Sequence, residues 1–140
     1  MPESGLEAFD TTLQKTNLWI KEVGDELGWS DKHKSYLALR TVLQALRDRL
    51  TIEEATDLGA QLPMLVRGFY YEGWNPSSKP VKYGREEFIS RIRERFAGVP
   101  DIDAEAVVRA VFSLISRKIA VGEMEDVKDS LPADIVNLVS

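Results

Sequence analysis

Apolar residues recur along this chain at intervals of three and four, the spacing that places them on one face of an α-helix. Between Leu39 and Leu50, for example, Val42, Leu43 and Leu46 share such a face. Stretches of this kind, bounded by glycine, proline and capping residues, predict helices at about 6–27, 32–50, 51–60, 63–70, 85–97, 104–119, 121–130 and 132–139. No alternation of apolar and polar residues is long enough to predict a strand. We therefore expect an all-α fold.

The helical pattern occurs twice along the chain. A shift of 69 positions, from Arg40 to Arg109, aligns the apolar stripe of 39–50 with that of 108–119. Within these stripes Val42 aligns with Val111, and the same shift aligns three further sets: Glu54 with Glu123, Asp57 with Asp126, and Leu62-Pro63 with Leu131-Pro132. Such self-similarity is typical of a duplicated helical unit. We expect a single all-helical domain, 1–140, built as a bundle of two pseudo-symmetric repeats of three to four helices. Repeat one covers about 6–70, an aromatic linker about 71–84 and repeat two about 85–139.

Capping residues mark several helix ends. The stretches 4–7 and 51–54 each have the Ser/Thr-x-x-Glu spacing of a capping box. In the second repeat Ala120 stands where the first has Thr51, so we expect a helix start there that is weaker by about 1 kcal/mol. Gly28 suits the left-handed residue that often ends a helix.

A loop rich in aromatic and basic residues interrupts the repeat. Four aromatic residues fall within 69–74, and glycines, prolines and serines follow as far as Gly84. Large aromatic side chains are usually buried, so one interpretation is that Phe69, Tyr70 and Trp74 fill the space between the repeats. The other is an exposed interaction patch, because loops seldom carry aromatic residues that contact nothing. The candidate patch comprises Arg67, Tyr70, Tyr71, Trp74, Lys79 and Lys82.

The net charge of −5 is unevenly distributed. Counting Lys and Arg against Asp and Glu gives −4 for 1–60 (7 − 11), +3 for 61–100 (7 − 4) and −4 for 101–140 (4 − 8). A protein this acidic is not expected to bind nucleic acid, whose recognition depends on many cation–phosphate contacts. The chain has no cysteine, no signal pattern and no apolar run of about 20 residues. We therefore expect a cytoplasmic protein without disulfides or membrane insertion.

The residue types needed for metal or nucleophilic chemistry are scarce. His33 is the only histidine and there is no cysteine, so zinc, haem and a catalytic triad are not expected. The stretch 101–105 is similar to the start of a calcium loop. However, Ala106 stands where the loop needs glycine, and Phe112 stands where it needs a bidentate glutamate. We expect no metal site and no cofactor.

Repeated acids and arginines leave two further interpretations open. The acids within 53–57 and 123–126 are most simply solvated first turns of short helices, although buried carboxylates with shifted pKa values would suit acid–base catalysis. Arg40 and Arg109 occupy one repeat position beside the apolar stripe. We predict that they pair with the equally repeated Asp57 and Asp126.

The tracts 39–50, 61–63 and 67–74, followed by Glu123, Asp126 and the Leu-Pro pair at 131–132, together point to a known family. They resemble an uncharacterised bacterial family called domain of unknown function 2267, most specifically between Gln61 and Trp74. The likeness covers nearly the whole chain. This resemblance implies an all-helical fold and supplies no catalytic residue, cofactor or established activity.

These observations favour a non-enzymatic protein-interaction or scaffold module that docks through 67–82 and the adjacent arginine-bearing helix 85–97. One alternative is a small-ligand-binding domain with a pocket between the repeats, lined by Trp19, Trp74 and Phe88. The other, less favoured, is an enzyme that uses carboxylate and arginine groups. The identity of a protein partner and homo-oligomerisation stay open.

Overall fold

A computed structural model describes residues 5–99 and 101–139. Within these ranges the chain forms eight α-helices and no strand. The helices are α1 (Glu7–Leu27), α2 (Lys32–Arg49), α3 (Ile52–Ala60), α4 (Met64–Tyr71), α5 (Arg85–Arg95), α6 (Ala104–Lys118), α7 (Val121–Asp129) and α8 (Ala133–Val139). The all-α prediction is confirmed, and the predicted bounds differ from these by at most two residues, at the end of α5. None of the described helices is long and apolar enough to cross a membrane.

Helix α2 lies at the centre of the bundle. Its residues 41–47 are all buried, which is the behaviour of a helix surrounded on every side rather than of one facing solvent. Helices α1, α4, α5 and α6 pack around it, and α6 also contacts α1, α5 and α8. One continuous core of apolar side chains therefore joins the first four helices to the last four.

A row of polar side chains on α2 binds the end of α4. The Gln44 amide nitrogen donates to the carbonyl oxygen of Phe69 at 2.8 Å. The buried guanidinium of Arg47 donates to the carbonyls of Tyr70 and Glu72, each at 2.9 Å. Because the last carbonyls of a helix lack partners within it, and carry a partial negative charge, a cation is well placed there. Polar groups of α2 thus fix where α4 ends.

The segment between α4 and α5 contains one short 3₁₀ turn, Pro76–Ser78, and is held against α2. The Val81 amide donates to the Asp48 carbonyl at 2.9 Å, and Arg49 Nε donates to the Tyr83 carbonyl at 2.8 Å. Tyr83 is buried, and its hydroxyl donates to the carbonyl of Ala45. The C-terminal half of α2 therefore guides the chain from α4 to the start of α5.

The caps follow the sequence signals where they are described. Gly28 ends α1 in the left-handed conformation with φ 71°, as predicted. Thr51 accepts a hydrogen bond from the Glu54 amide at 3.2 Å, whereas Ala120 provides no side-chain cap to α7. The predicted capping box at 4–7 depends on Ser4, which lies outside the described residues.

The two repeated ion pairs predicted from the sequence are wrong: Arg40–Asp57 and Arg109–Asp126. Arg40 lies well before the end of α2, on the side where α4 packs, and pairs with Glu72 just beyond α4. Arg109 pairs with Glu105, one turn earlier on α6, at 3.0 Å. The packing of α4 on α2 thus supplies the acid for Arg40, whereas the i,i+4 spacing within α6 supplies the acid for Arg109.

Replacing Thr51 with Ala is expected to lower the free energy of unfolding by about 1 kcal/mol, because the first turn of α3 loses its side-chain acceptor. The reverse change at the matching position, Ala120→Thr, is expected to raise it by up to about 1 kcal/mol. Urea denaturation of both variants measures these effects. Thr56→Ala is the matched control, because its hydroxyl donates to the Glu53 carbonyl within α3 and caps nothing. Equal and negligible changes in all three variants would contradict the assignment of Thr51 as a cap.

Candidate functional site

The structure does not bring the six residues of the candidate patch onto one surface. Tyr70 is fully buried, and its hydroxyl donates to the Ala55 carbonyl at 2.6 Å. Burial raises the pKa of Tyr70 far above its usual value, so the phenol stays neutral. Including Tyr70 in an exposed patch is therefore a prediction that needs correction. With Phe69 also buried, these two aromatic residues follow the alternative interpretation, in which they fill the core.

Tyr71 and Trp74 form a half-buried aromatic pair rather than an open surface. Their ring centroids lie 5.4 Å apart, and the Tyr71 ring packs directly over Gly59 of α3. A Cβ atom at Gly59 would clash with the Tyr71 hydroxyl oxygen, so this contact requires glycine. The pair therefore serves largely to join α4 to α3.

The three cations of the candidate patch lie in different surroundings. The Lys79 ammonium lies 3.9 Å from Asp48, in the wall formed by α2, and Lys82 is exposed on the linker. The Arg67 guanidinium donates to two backbone carbonyls at the corner between α3 and α4, those of Gly59 at 2.9 Å and Leu62 at 2.8 Å. Arg67 also lines a surface cavity, which the other two cations do not reach.

That cavity belongs to a groove between α1 and the start of α4. Two adjoining cavities, of about 540 and 460 Å³, share Lys15, Pro63 and Met64 in their walls. We call them together the α1–α4 groove. Its floor includes the edges of the core residues Trp19 and Leu62. Its walls come from the stretch between Glu7 and Trp19 on α1, from the stretch 61–67 at the corner and first turn of α4, and from Lys118 at the end of α6.

The α1–α4 groove exposes apolar side chains that a solvated helix surface does not require. Met64 is 52% exposed and Leu18 is 49% exposed, and Leu65, beside Met64, is 44% exposed. Hydrogen bonding fixes the two walls relative to each other, because the Leu65 amide donates to the Thr12 hydroxyl at 2.9 Å. A contiguous apolar surface on a rigid support is typical of an interaction site.

Three cations flank this apolar surface. Lys15 and Arg67 have no carboxylate partner within 5–99 and 101–139, and Lys118 pairs with Glu22 at 2.6 Å. The Arg67 charge is bonded only to neutral carbonyls. One acid, Glu7, lies at the far end of the groove. The groove therefore combines exposed apolar side chains with three cations and one acid in its walls.

The pocket predicted from Trp19, Trp74 and Phe88 does not form. Phe88 is fully buried in the core, and Trp74 stacks on Tyr71. Trp19 is nearly buried and contributes only an edge to the α1–α4 groove. Because Phe88 is fully enclosed by the core, it cannot line an open pocket with the other two side chains.

Two glutamates meet where α3 packs on α7. Glu54 and Glu123 are each the third residue of their helix, and together with Asp126 they bring one carboxylate oxygen each within 4.8 Å of the others. One oxygen of Glu54 and one of Glu123 are buried and have no hydrogen-bond donor among the described residues. Burial, followed by the nearby Glu54 carboxylate and the charges of Asp57 and Asp126, raises the pKa of Glu123 to about 8.

This pair can hold a proton between the two helices at neutral pH. Protonated Glu123 donates to Glu54, and the hydrogen bond replaces a repulsion between like charges. Carboxylate oxygens are also the ligands that hard cations prefer, but a shared proton already accounts for the arrangement. Glu54 and Glu123 lie outside the α1–α4 groove, so the raised pKa is not located at that binding surface.

The fold and these surfaces define the chain as an all-α helical bundle with exposed apolar side chains in a groove and a half-buried carboxyl pair. Residues 16–138 match the family model of DUF2267, which is described as an uncharacterized conserved protein. Because the match spans most of the chain, the protein belongs to the DUF2267 family. No curated protein matches its sequence at a significant level.

The carboxyl pair is expected to make stability depend on pH. Because the pKa of Glu123 rises from 4.5 to about 8 on folding, the folded state binds the proton more tightly in that interval. The free energy of unfolding should therefore fall as pH rises from about 5 to about 9. Glu123→Gln, which keeps the shape of the protonated acid, should weaken this fall and raise the melting temperature at the alkaline end.

Thermal melts followed by circular dichroism across this pH range make the measurement. Glu125→Gln is the matched control, because Glu125 is exposed on the same helix and lies outside the carboxyl cluster. The other groups that face Glu123 are Glu54 and Asp57 from α3, Asp126 from α7 and the buried phenol of Tyr70 from α4. An identical pH dependence in the Glu123→Gln variant and the wild type would refute the shared proton.

Proposed function

We propose that this protein is a non-catalytic interaction module that binds an acidic amphipathic helix of a partner protein in the α1–α4 groove. The observation that carries the proposal is the coincidence of exposed apolar side chains and unpaired cations around one groove. A pocket lined by a carboxylate with a raised pKa would have favoured an enzyme. The raised pKa belongs instead to Glu123, between α3 and α7 and outside the groove.

The dimensions of the groove suit a short helix. Its wall on α1 runs from Glu7 to Trp19, which at 1.5 Å per residue spans about 18 Å. About three turns of a partner helix have this length. Such a helix would place apolar anchors at i, i+3/i+4 and i+7 against Leu18, Met64 and the edge of Trp19, which is the usual mode by which a groove binds a helix.

Charge complementarity favours an acidic partner. Lys15 and Arg67 would meet acids on the rim of the bound helix, and Lys118 would add a third contact beside its existing partner Glu22. Rim charges chiefly steer association and select partners, whereas the apolar anchors supply most of the affinity. Binding should therefore weaken with salt but persist.

The duplication proposed from the sequence is consistent with this function. Helices α3 and α7 begin 69 residues apart (52 and 121), and so do α4 and α8 (64 and 133). The apolar and basic side chains of the groove, by contrast, come largely from the first half of the chain. We propose that two copies of one helical unit form the scaffold, and that one of them acquired the binding surface in a protein that works in the cytoplasm.

The proposal can be tested with a designed peptide of three helical turns, with leucines on one face and glutamates on the other. Fluorescence anisotropy should show saturable binding of this peptide to the wild-type protein. Replacing both Leu18 and Met64 with Ser should weaken binding at least about tenfold, because the exposed apolar anchors are lost. Lys15→Glu should weaken it less, with a reduced dependence on salt.

The matched control is Ile52→Ser, because Ile52 is also exposed and apolar but lies outside the groove, at the start of α3. It should bind like the wild type. A peptide with lysines in place of the glutamates should bind more weakly. If the Leu18/Met64 variant binds as tightly as the Ile52 variant, the groove is not the docking site.

A further inference from the structure

A second cleft, separate from the α1–α4 groove, lies between α2 and α5. Its volume is about 400 Å³, and its walls are mainly polar. Helix α2 contributes positions 41–48 and α5 contributes one face, positions 87–95. The side chains that matter for recognition are Thr41, Arg47, Ser90, Arg91 and Arg95. A cleft of this size can hold a small organic molecule.

Positive charge exceeds negative charge beside this cleft. Arg47, Lys79 and Arg91 all lie within 4.0 Å of one carboxylate, that of Asp48. Glu87 pairs with Arg91 at 3.3 Å, so these five groups carry one excess positive charge (3 − 2). That excess comes from Lys79, which pairs with Asp48 but does not itself line the cleft.

Two further charged groups line the cleft and cancel each other. Arg95 and Glu94 add one charge of each sign, and both are exposed. Arg95 has no carboxylate partner within the described part of the chain. The charges that line the cleft therefore balance, Lys79 beside it adds one positive charge, and Arg95 remains available to a ligand.

Two polar groups in the walls also have unused hydrogen-bonding capacity. The side chain of Thr41 is 95% buried (5% exposed), yet its hydroxyl has no partner among the described residues. The Nε–H of Arg91 is likewise buried and unpartnered. The Arg91 guanidinium is nevertheless held in place, by Glu87, by Asp48 and by the Tyr83 ring 4.4 Å away. A buried polar group without a hydrogen-bond partner lowers the stability of the fold, and a ligand that accepts its hydrogen bond removes this penalty.

We propose that the α2–α5 cleft binds a small organic oxyanion, a carboxylate or a phosphate, through the guanidinium groups of Arg91 and Arg95 and the hydroxyl of Thr41. Both unpartnered groups can donate a hydrogen bond, and Arg95 offers a guanidinium without a carboxylate partner among the described residues, so we expect the ligand to accept hydrogen bonds and carry negative charge. A guanidinium recognises a carboxylate and a phosphate by the same paired geometry. Ser90, on the same face of α5, offers a further hydroxyl to the ligand.

The test measures binding of citrate, glucose 6-phosphate and uncharged glucose to the full chain by isothermal titration calorimetry at constant ionic strength. We expect saturable binding of at least one of the two anions, with a Kd below about 1 mM, and none of glucose. Citrate alone would identify a carboxylate ligand, and glucose 6-phosphate alone would identify a phosphate. Amide chemical-shift changes should cluster on α2 and α5 and spare the α1–α4 groove.

Two variants remove parts of the site without disturbing the rest of the fold. Arg95→Gln removes an exposed charge, and Thr41→Val keeps the shape of the side chain while removing its hydroxyl. Each should weaken anion binding about tenfold, with an unchanged circular dichroism spectrum.

Arg93→Gln is the matched control, because Arg93 is exposed on α5 but does not line the cleft. Failure of both anions to bind the wild type, or equal binding by the Arg95 and Arg93 variants, would overturn the proposal. Neither result would affect the test of the α1–α4 groove.

Discussion

The arrangement of this bundle depends on a buried guanidinium that belongs to its central helix, α2. Arg47 is 5% exposed and would be costly to bury if its charge were not compensated. Asp48 accepts hydrogen bonds from two of its nitrogens at 2.8 and 3.2 Å, and the carbonyls of Tyr70 and Glu72, at the end of α4, accept from the third. The protein therefore satisfies a buried cation and the end of a helix with the same hydrogen bonds. The position of α4, and hence one wall of the α1–α4 groove, follows from that arrangement.

A second polar contact, between Glu54 and Glu123, joins α3 to α7. It differs from the Arg47 contact because it joins like charges and needs a proton to be favourable. Its strength depends on pH, because burial and the neighbouring carboxylates raise the pKa of Glu123 to about 8. The bundle thus has one polar contact between opposite charges on α2 and a second one, between α3 and α7, that weakens as the pH rises.

The two proposed binding surfaces differ in the physics of recognition. The α1–α4 groove offers exposed apolar side chains with cations at its sides, which suits an extended macromolecular partner. The α2–α5 cleft offers buried donors and guanidinium groups, which suit a small anion. Both depend on α2, because it positions α4 on one side and packs against α5 on the other. The packing of one central helix therefore shapes two sites of unrelated chemistry.

The sequence by itself determined the helices and most of their ends. Apolar spacing and capping residues such as Thr51 and Gly28 act over a few neighbouring residues, so their effect can be read from the chain directly. Burial of Tyr70 followed one of two interpretations that the sequence left open, because an aromatic residue suits both a core and an interface.

Only the tertiary structure decided which side chains meet. Arg40 pairs with Glu72 rather than Asp57, and Glu54 and Glu123, which lie 69 positions apart in the sequence, face each other across α3 and α7. The α1–α4 groove was missed, because its walls lie about 50 positions apart in the sequence (Lys15 and Met64) and neither has a distinctive motif. Contacts and pKa values of this kind depend on which faces of the packed helices meet. Local periodicity shows which face of a helix is apolar, but it carries no information about which other helix that face contacts.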